Sequence, residues 1–141
     1  MILQTFVLDP RLAADTLPLG ALELCELRLM DDARYPWVVL VPQRPALVEV
    51  LDLDEVAQTG LWREVHRVAA ALKTVSPCDK LNLATLGNVV SQLHIHVVAR
   101  RQDDPAWPGP VWGHGQRQSL EPAAAARISL QLRRELGLAA Q

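Results

Sequence analysis

Gln92, His94 and His96 are the residues of this chain whose types and spacing can do chemistry together. They stand at alternate positions in Gln92-Leu93-His94-Ile95-His96-Val97-Val98 and include two of the chain's 4 histidines. The residues between them are apolar, and Ile95, Val97 and Val98 are β-branched, a composition that suits a strand. Successive strand side chains point to opposite faces. Gln92, His94 and His96 are therefore expected on one side, with Leu93, Ile95 and Val97 on the other. Such a row supports three readings. A neutral imidazole can attack phosphorus near pH 7. A His-x-His pair with a third ligand can hold a metal. The row can also be plain polar surface.

Just upstream, Asn82-Leu83-Ala84-Thr85-Leu86-Gly87-Asn88-Val89-Val90-Ser91 supplies two amides, a glycine and a hydroxyl. Together the two strings resemble the histidine triad (HIT) family of nucleotide hydrolases and transferases. That family's signature is His-φ-His-φ-His-φ-φ, with φ apolar, behind a loop rich in Gly and Gln or Asn. The order of elements from Leu19 to Arg100 is similar too. On this resemblance Gln92 takes the place of the first triad histidine, His94 that of the nucleophile and His96 that of the third histidine. Trp37 stands where the family often has a histidine, just before the apolar run Val38-Val39-Leu40-Val41-Pro42. Val89 replaces a hydroxyl residue three positions before the triad.

The resemblance implies hydrolysis or transfer on a nucleoside phosphate derivative through a covalent nucleotidyl-histidine at His94, with His96 and Gln92 assisting. Asn82, Asn88 and Trp37 become candidates for binding nucleotide or phosphate. It implies no cofactor, and a homodimer with the sheet continued across a twofold axis. The Gln92 and Trp37 departures imply weakened turnover, so the alternative is a nucleotide-binding or interaction protein that keeps the fold and has lost most activity. A metal site on His94 and His96 would draw its third ligand from His66 or His114, and no spacing rule places either; no metal is expected.

The elements that must position these residues are legible in outline. Asp9 can cap a short helix over 9–16, with Pro10 in its first turn, ended by Leu17-Pro18-Leu19-Gly20. Residues 21–30 read as one strand, and Trp37–Val41 as a buried strand hairpinned to it. Asp52 and Glu55 form a capping-box pattern, with Leu51 and Val56 as a hydrophobic staple. Leu61, Val65, Val68 and Leu72 then make a helical stripe, with His66 at its edge as structure or surface. Residues 80–86 and 89–99 read as two paired strands about Gly87-Asn88, which gives Asn88 the parity of His94. A Pro-stiffened loop carries Trp107 and Trp112, read as pins. A closing helix over 123–136 has Ile128, Leu132 and Leu136 on one stripe and Gly137 as C-cap residue. Locally paired strands with helices packed on them predict an α+β fold, a HIT-like antiparallel sheet of about five strands with a central and a C-terminal helix.

Composition bounds the rest. At 141 residues, half of them hydrophobic, residues 1–141 are expected to form one HIT-like domain with a sizeable core. Net charge is −2 and no basic run occurs, so nucleic acid is not an expected partner. Cys25 and Cys78 match neither zinc spacing nor a disulfide framework. No basic region followed by an apolar core begins the chain, and no run approaches the ~20 apolar residues of a membrane span. No membrane partner is expected, and the cytoplasm is the expected compartment.

Overall fold

A computed structural model describes residues 4–138. The elements run α1 (Pro10–Asp15), β1 (Thr16–Ala21), β2 (Cys25–Met30), β3 (Trp37–Pro42), a 3-10 turn (Val50–Asp52), α2 (Glu55–Val75), β4 (Lys80–Ala84), β5 (Ile95–Arg100) and α3 (Pro122–Leu136). The five strands form one antiparallel sheet in the order β1-β2-β3-β5-β4. This is the expected α+β architecture.

Strand periodicity builds two cores. Leu27, Leu29, Val38, Leu40, Ile95, Val97 and Ala99 are buried on one face against α2 and α3, with Leu61, Val65, Val68, Leu72, Leu132 and Leu136 opposite them. The other face carries Trp37, Val39, Val41 and Val98, covered by Leu12, Tyr35, Ala106 and Val111. On β5 the alternation therefore sends Ile95, Val97 and Ala99 to the helices, and His96, Val98 and Arg100 to the second face.

Several boundaries differ from the sequence reading, each for a physical reason. The single strand expected over 21–30 is two strands joined by a turn, in which Leu22 N–H donates to the Cys25 carbonyl at 2.9 Å. Thr16–Ala21 is strand despite Pro18 and Gly20, because β1 is an edge and bulges between those two residues. Gly20 has φ +153°, and a Cβ there would lie 2.7 Å from Leu138 Cδ1. The cap of α2 is Asp54, whose carboxylate accepts from Ala57 N–H at 2.8 Å. Asp52 instead closes the 3-10 turn by accepting from Val48 and Glu49 N–H. Leu51 and Val56 form no staple, being 86% and 83% exposed. The predicted strand 89–99 begins only at Ile95, and the predicted 80–86 strand stops at Ala84. Between them runs an irregular loop over 85–94, which removes the parity argument for Asn88.

Two buried polar anchors hold the sheet to its surroundings. The Glu64 carboxylate on α2 accepts from Leu24 and Cys25 N–H, both at 2.8 Å, fixing the β1–β2 turn. Burial first, and Glu64 second, push the Cys25 thiol up and keep it protonated. Arg100, at the end of β5, bonds Asp104 at 2.7 and 3.0 Å, Asn82 Oδ1 at 2.8 Å and the Gly109 carbonyl at 2.8 Å. It thereby ties β4 and the following loop to the histidine strand. Removing one partner of a buried ion pair strands the other charge, so Arg100→Met is expected to cost about 3 kcal/mol. Urea unfolding of the two proteins measures it, and an unchanged midpoint would show the anchor to be dispensable.

Candidate functional site

The two histidines stand where β5 begins and face a cavity of about 810 Å³. That size suits a small ligand rather than a macromolecule. His94, His96, Trp37 and Trp112 line its inner wall. Gly87, Asn88 and Val89 line it from the 85–94 loop, Arg11 and Asp15 from α1, and Arg34 from the β2–β3 turn. Both imidazoles are 6% exposed, with ring centroids 4.9 Å apart.

The rings are held in opposite ways. His94 Nδ1 lies 2.7 Å from the Gln92 carbonyl oxygen. A carbonyl only accepts, so Nδ1 carries the proton and the Nε2 lone pair is left for the cavity. His96 Nδ1 accepts from the Trp37 indole N–H at 3.0 Å. The register explains that contact: His96 pairs with Val39 and Val98 with Trp37, which places all four on the same face of adjacent strands. Trp112 closes the cluster edge-on, 5.3 Å from His96 and 5.9 Å from Trp37 by ring centroids. Burial among these rings, and then the neighbouring His94, push the His96 imidazole down to about 3. Inside this cluster His96 is neutral near pH 7, so it assists as a hydrogen-bond donor and not as a cation.

Of the residues singled out from sequence, His94, His96, Trp37 and Asn88 come together around the cavity, and His114 lines it too. Asn88 reaches it from the loop rather than from a strand. Gln92 does not come with them. Its side-chain oxygen accepts from Asp9 N–H and its amide donates to the Val7 carbonyl, both at 2.8 Å. The expected strand parity fails because Gln92 precedes β5, and the side chain knits the N-terminal segment, and hence the start of α1, to the loop. Asn82 is likewise elsewhere, spent on Arg100. His66 is exposed on α2. Among the described residues no group of three or more His, Cys, Asp or Glu is arranged to hold a metal ion.

Several lining residues escaped sequence reasoning. Trp112 was read as a loop pin and instead packs on His96, whereas Trp107 does sit as a pin, its ring 5.7 Å from the Arg100 guanidinium. Arg34 is held beside the cavity by Asp32 at 2.9 Å and by the His114 carbonyl. Nothing in local spacing reveals these, since α1, the β2–β3 turn and the loop after β5 meet only in the tertiary fold.

Known proteins share this fold. A family model described as the HIT domain matches residues 12–103. A histidine triad protein of Bradyrhizobium japonicum is 47% identical, with 94% of this chain and 99% of that one covered and a TM-score of 0.93. A histidine triad protein of Sinorhizobium meliloti is 45% identical over 93% and 97% of the two chains, with a TM-score of 0.91. One from Marinobacter aquaeolei is 40% identical over 95% and 98%, with a TM-score of 0.92. No curated protein matches the chain.

Proposed function

The chain belongs to the histidine triad (HIT) family, and from that premise we propose that it is a nucleotide hydrolase or nucleotidyl transferase with His94 as nucleophile. The family and fold imply nucleotide-binding, hydrolase-type function in general. One observation carries the narrower reading: His94 presents Nε2 to a ligand-sized cavity while the Gln92 carbonyl holds the proton on Nδ1.

The step follows from that arrangement. Nε2 attacks the α-phosphorus of a nucleoside phosphate derivative, and the bond to the leaving group breaks with its electron pair departing on that group. The nucleotidyl group is then held on Nε2, and the positive charge on the ring is steadied by the Gln92 carbonyl. Water attacks the same phosphorus, the P–N bond returns its pair to Nε2, and the water's proton passes to solvent. Two easier displacements replace one hard one. The His96 N–H and the 85–94 loop supply donors to the phosphoryl oxygens as their charge grows. Asn88 is the cavity residue assigned to the nucleotide, and Trp37 backs the wall behind His96. Gln92 contributes its carbonyl to catalysis, while its side chain, bonded to Val7 and Asp9, ties the N-terminal segment to the loop.

The test is incubation with a panel of dinucleoside polyphosphates and nucleoside phosphoramidates, followed by intact mass spectrometry. A transient adduct of one nucleotidyl group on His94 is expected; nucleotide binding without adduct or product would establish instead a binding protein that has lost turnover. The turned-away Gln92 amide is the observation that favours that second reading.

We further propose a cytoplasmic homodimer. Among the described residues the outer edge of β4 has no strand partner and Leu83 on it is half exposed, with Leu86 and Val89 exposed just beyond. Open, apolar strand edges seek partners. Light scattering at tens of micromolar is expected to give twice the chain mass, through an interface above about 1,000 Å². A monomer mass would overturn this. The two free thiols, Cys25 and Cys78, suit a reducing compartment. Among the described residues no helix is long and apolar enough to cross a membrane.

A further inference from the structure

We infer that Trp37 is a positioning residue: its indole N–H, 3.0 Å from His96 Nδ1, fixes that imidazole as the neutral Nε2–H tautomer. His96 then offers the cavity a hydrogen-bond donor that does not give up its proton.

The argument is one of donors and acceptors. An indole N–H donates and has no lone pair in its plane to accept. The atom facing it must therefore be unprotonated, and that atom is Nδ1. A neutral imidazole with a bare Nδ1 carries its one proton on Nε2. Protonating Nδ1 would set two N–H groups against each other at hydrogen-bond distance. The cluster offers no relief, because Trp112 stands over the same ring and Tyr35 packs edge-on against Trp37. His94, the other titratable group in contact with His96, sits on the same strand. The charged and titratable groups of the wider cavity wall are Arg11 and Asp15 on α1, Arg34 with its partner Asp32 on the β2–β3 turn, and His114 and Arg117 from the loop after β5. Among the described residues no carboxylate bonds either nitrogen of His96, so nothing steadies an imidazolium.

Two adjacent imidazoles are thus set to opposite tautomers by two backbone-ordered contacts. A carbonyl leaves His94 a lone pair at Nε2, and an indole leaves His96 a proton at Nε2. The first suits attack on phosphorus and the second suits the oxygens that phosphorus carries. Only this division of labour rests on the nucleotidyl-transfer reading; the tautomer itself does not.

Nitrogen-15 NMR of the intact protein labelled at histidine tests it. In the wild type, His96 is expected to show a pyridine-like Nδ1 and a pyrrole-like Nε2, unchanged between pH 8 and about pH 5. Trp37→Phe keeps a ring and removes the N–H. It is expected to give averaged His96 nitrogen shifts from mixed tautomers, and a His96 that begins to titrate at higher pH than in the wild type. With an active substrate, kcat is expected to fall ~10-fold with KM little changed, since one donor to developing charge is misplaced. A protonated Nδ1 on wild-type His96 overturns the inference whether or not Trp37→Phe folds. So does a folded Trp37→Phe protein whose His96 nitrogens match the wild type. Failure of every substrate would defeat the transfer reading and leave the NMR result to decide the tautomer.

Discussion

Replacing His94 by Ala is expected to lower nucleotidyl turnover by at least about 10³-fold while the folded state and nucleotide binding persist. The imidazole is the group that forms the bond to phosphorus in the proposed step, and His96, the imidazole in contact with it, cannot take its place. Asn88 is an amide, His96 has its lone pair occupied by the Trp37 N–H, and Arg11 and Arg34 are cationic. Among the described residues the side chain makes one hydrogen bond, to the Gln92 carbonyl, so its loss removes little from the fold. His96→Ala is expected to cost less, about 10²-fold, because it removes one donor rather than the nucleophile. Steady-state rates and the mass of the trapped adduct measure both. Wild-type rates in His94→Ala would end the mechanism proposed here.

Stability is expected to drop steeply in acid because His96 is neutral in the fold. Its imidazole is pushed from an ordinary value near 6.5 down to about 3 by burial and by His94. Between those two values the unfolded chain binds a proton that the folded chain refuses. The unfolded state therefore gains as pH falls, and the contribution is fully present above about pH 6.5 and lost below it. The loss runs at up to about 1.4 kcal/mol per pH unit and levels off near pH 3, for a total of about 5 kcal/mol. That is comparable with the whole stability of a typical domain, so unfolding is expected before pH 3. Urea unfolding at a series of pH values, on wild type and His96→Gln, isolates the effect. The glutamine can still accept from the Trp37 N–H but cannot take a proton, so its stability should fall less with acid. Parallel curves for the two proteins would show that His96 is not the source.

The sequence by itself determined the pieces that depend on local periodicity. The alternation of Leu93, His94, Ile95, His96 and Val97 set which side chains meet the helices, and the burial of Leu93, Ile95 and Val97 in one core follows it. The stripes on α2 and α3, the Asp9 cap and the left-handed Gly137 were legible for the same reason: each is decided within a few residues of itself. The motif also carried the family. Tertiary structure alone decided where pairing stopped and who met whom across the sheet. Gln92 shares the spacing of a triad residue, yet lies just outside β5, where the backbone no longer alternates, so contacts with residues over eighty positions away set its direction. Asp52 and Asp54 are both good caps, and only the 3-10 turn chose between them. Trp37 and His96 are 59 positions apart. Their hydrogen bond follows from the β3–β5 register, a choice made by the burial of two whole strands, and no local pattern in either segment could have announced it.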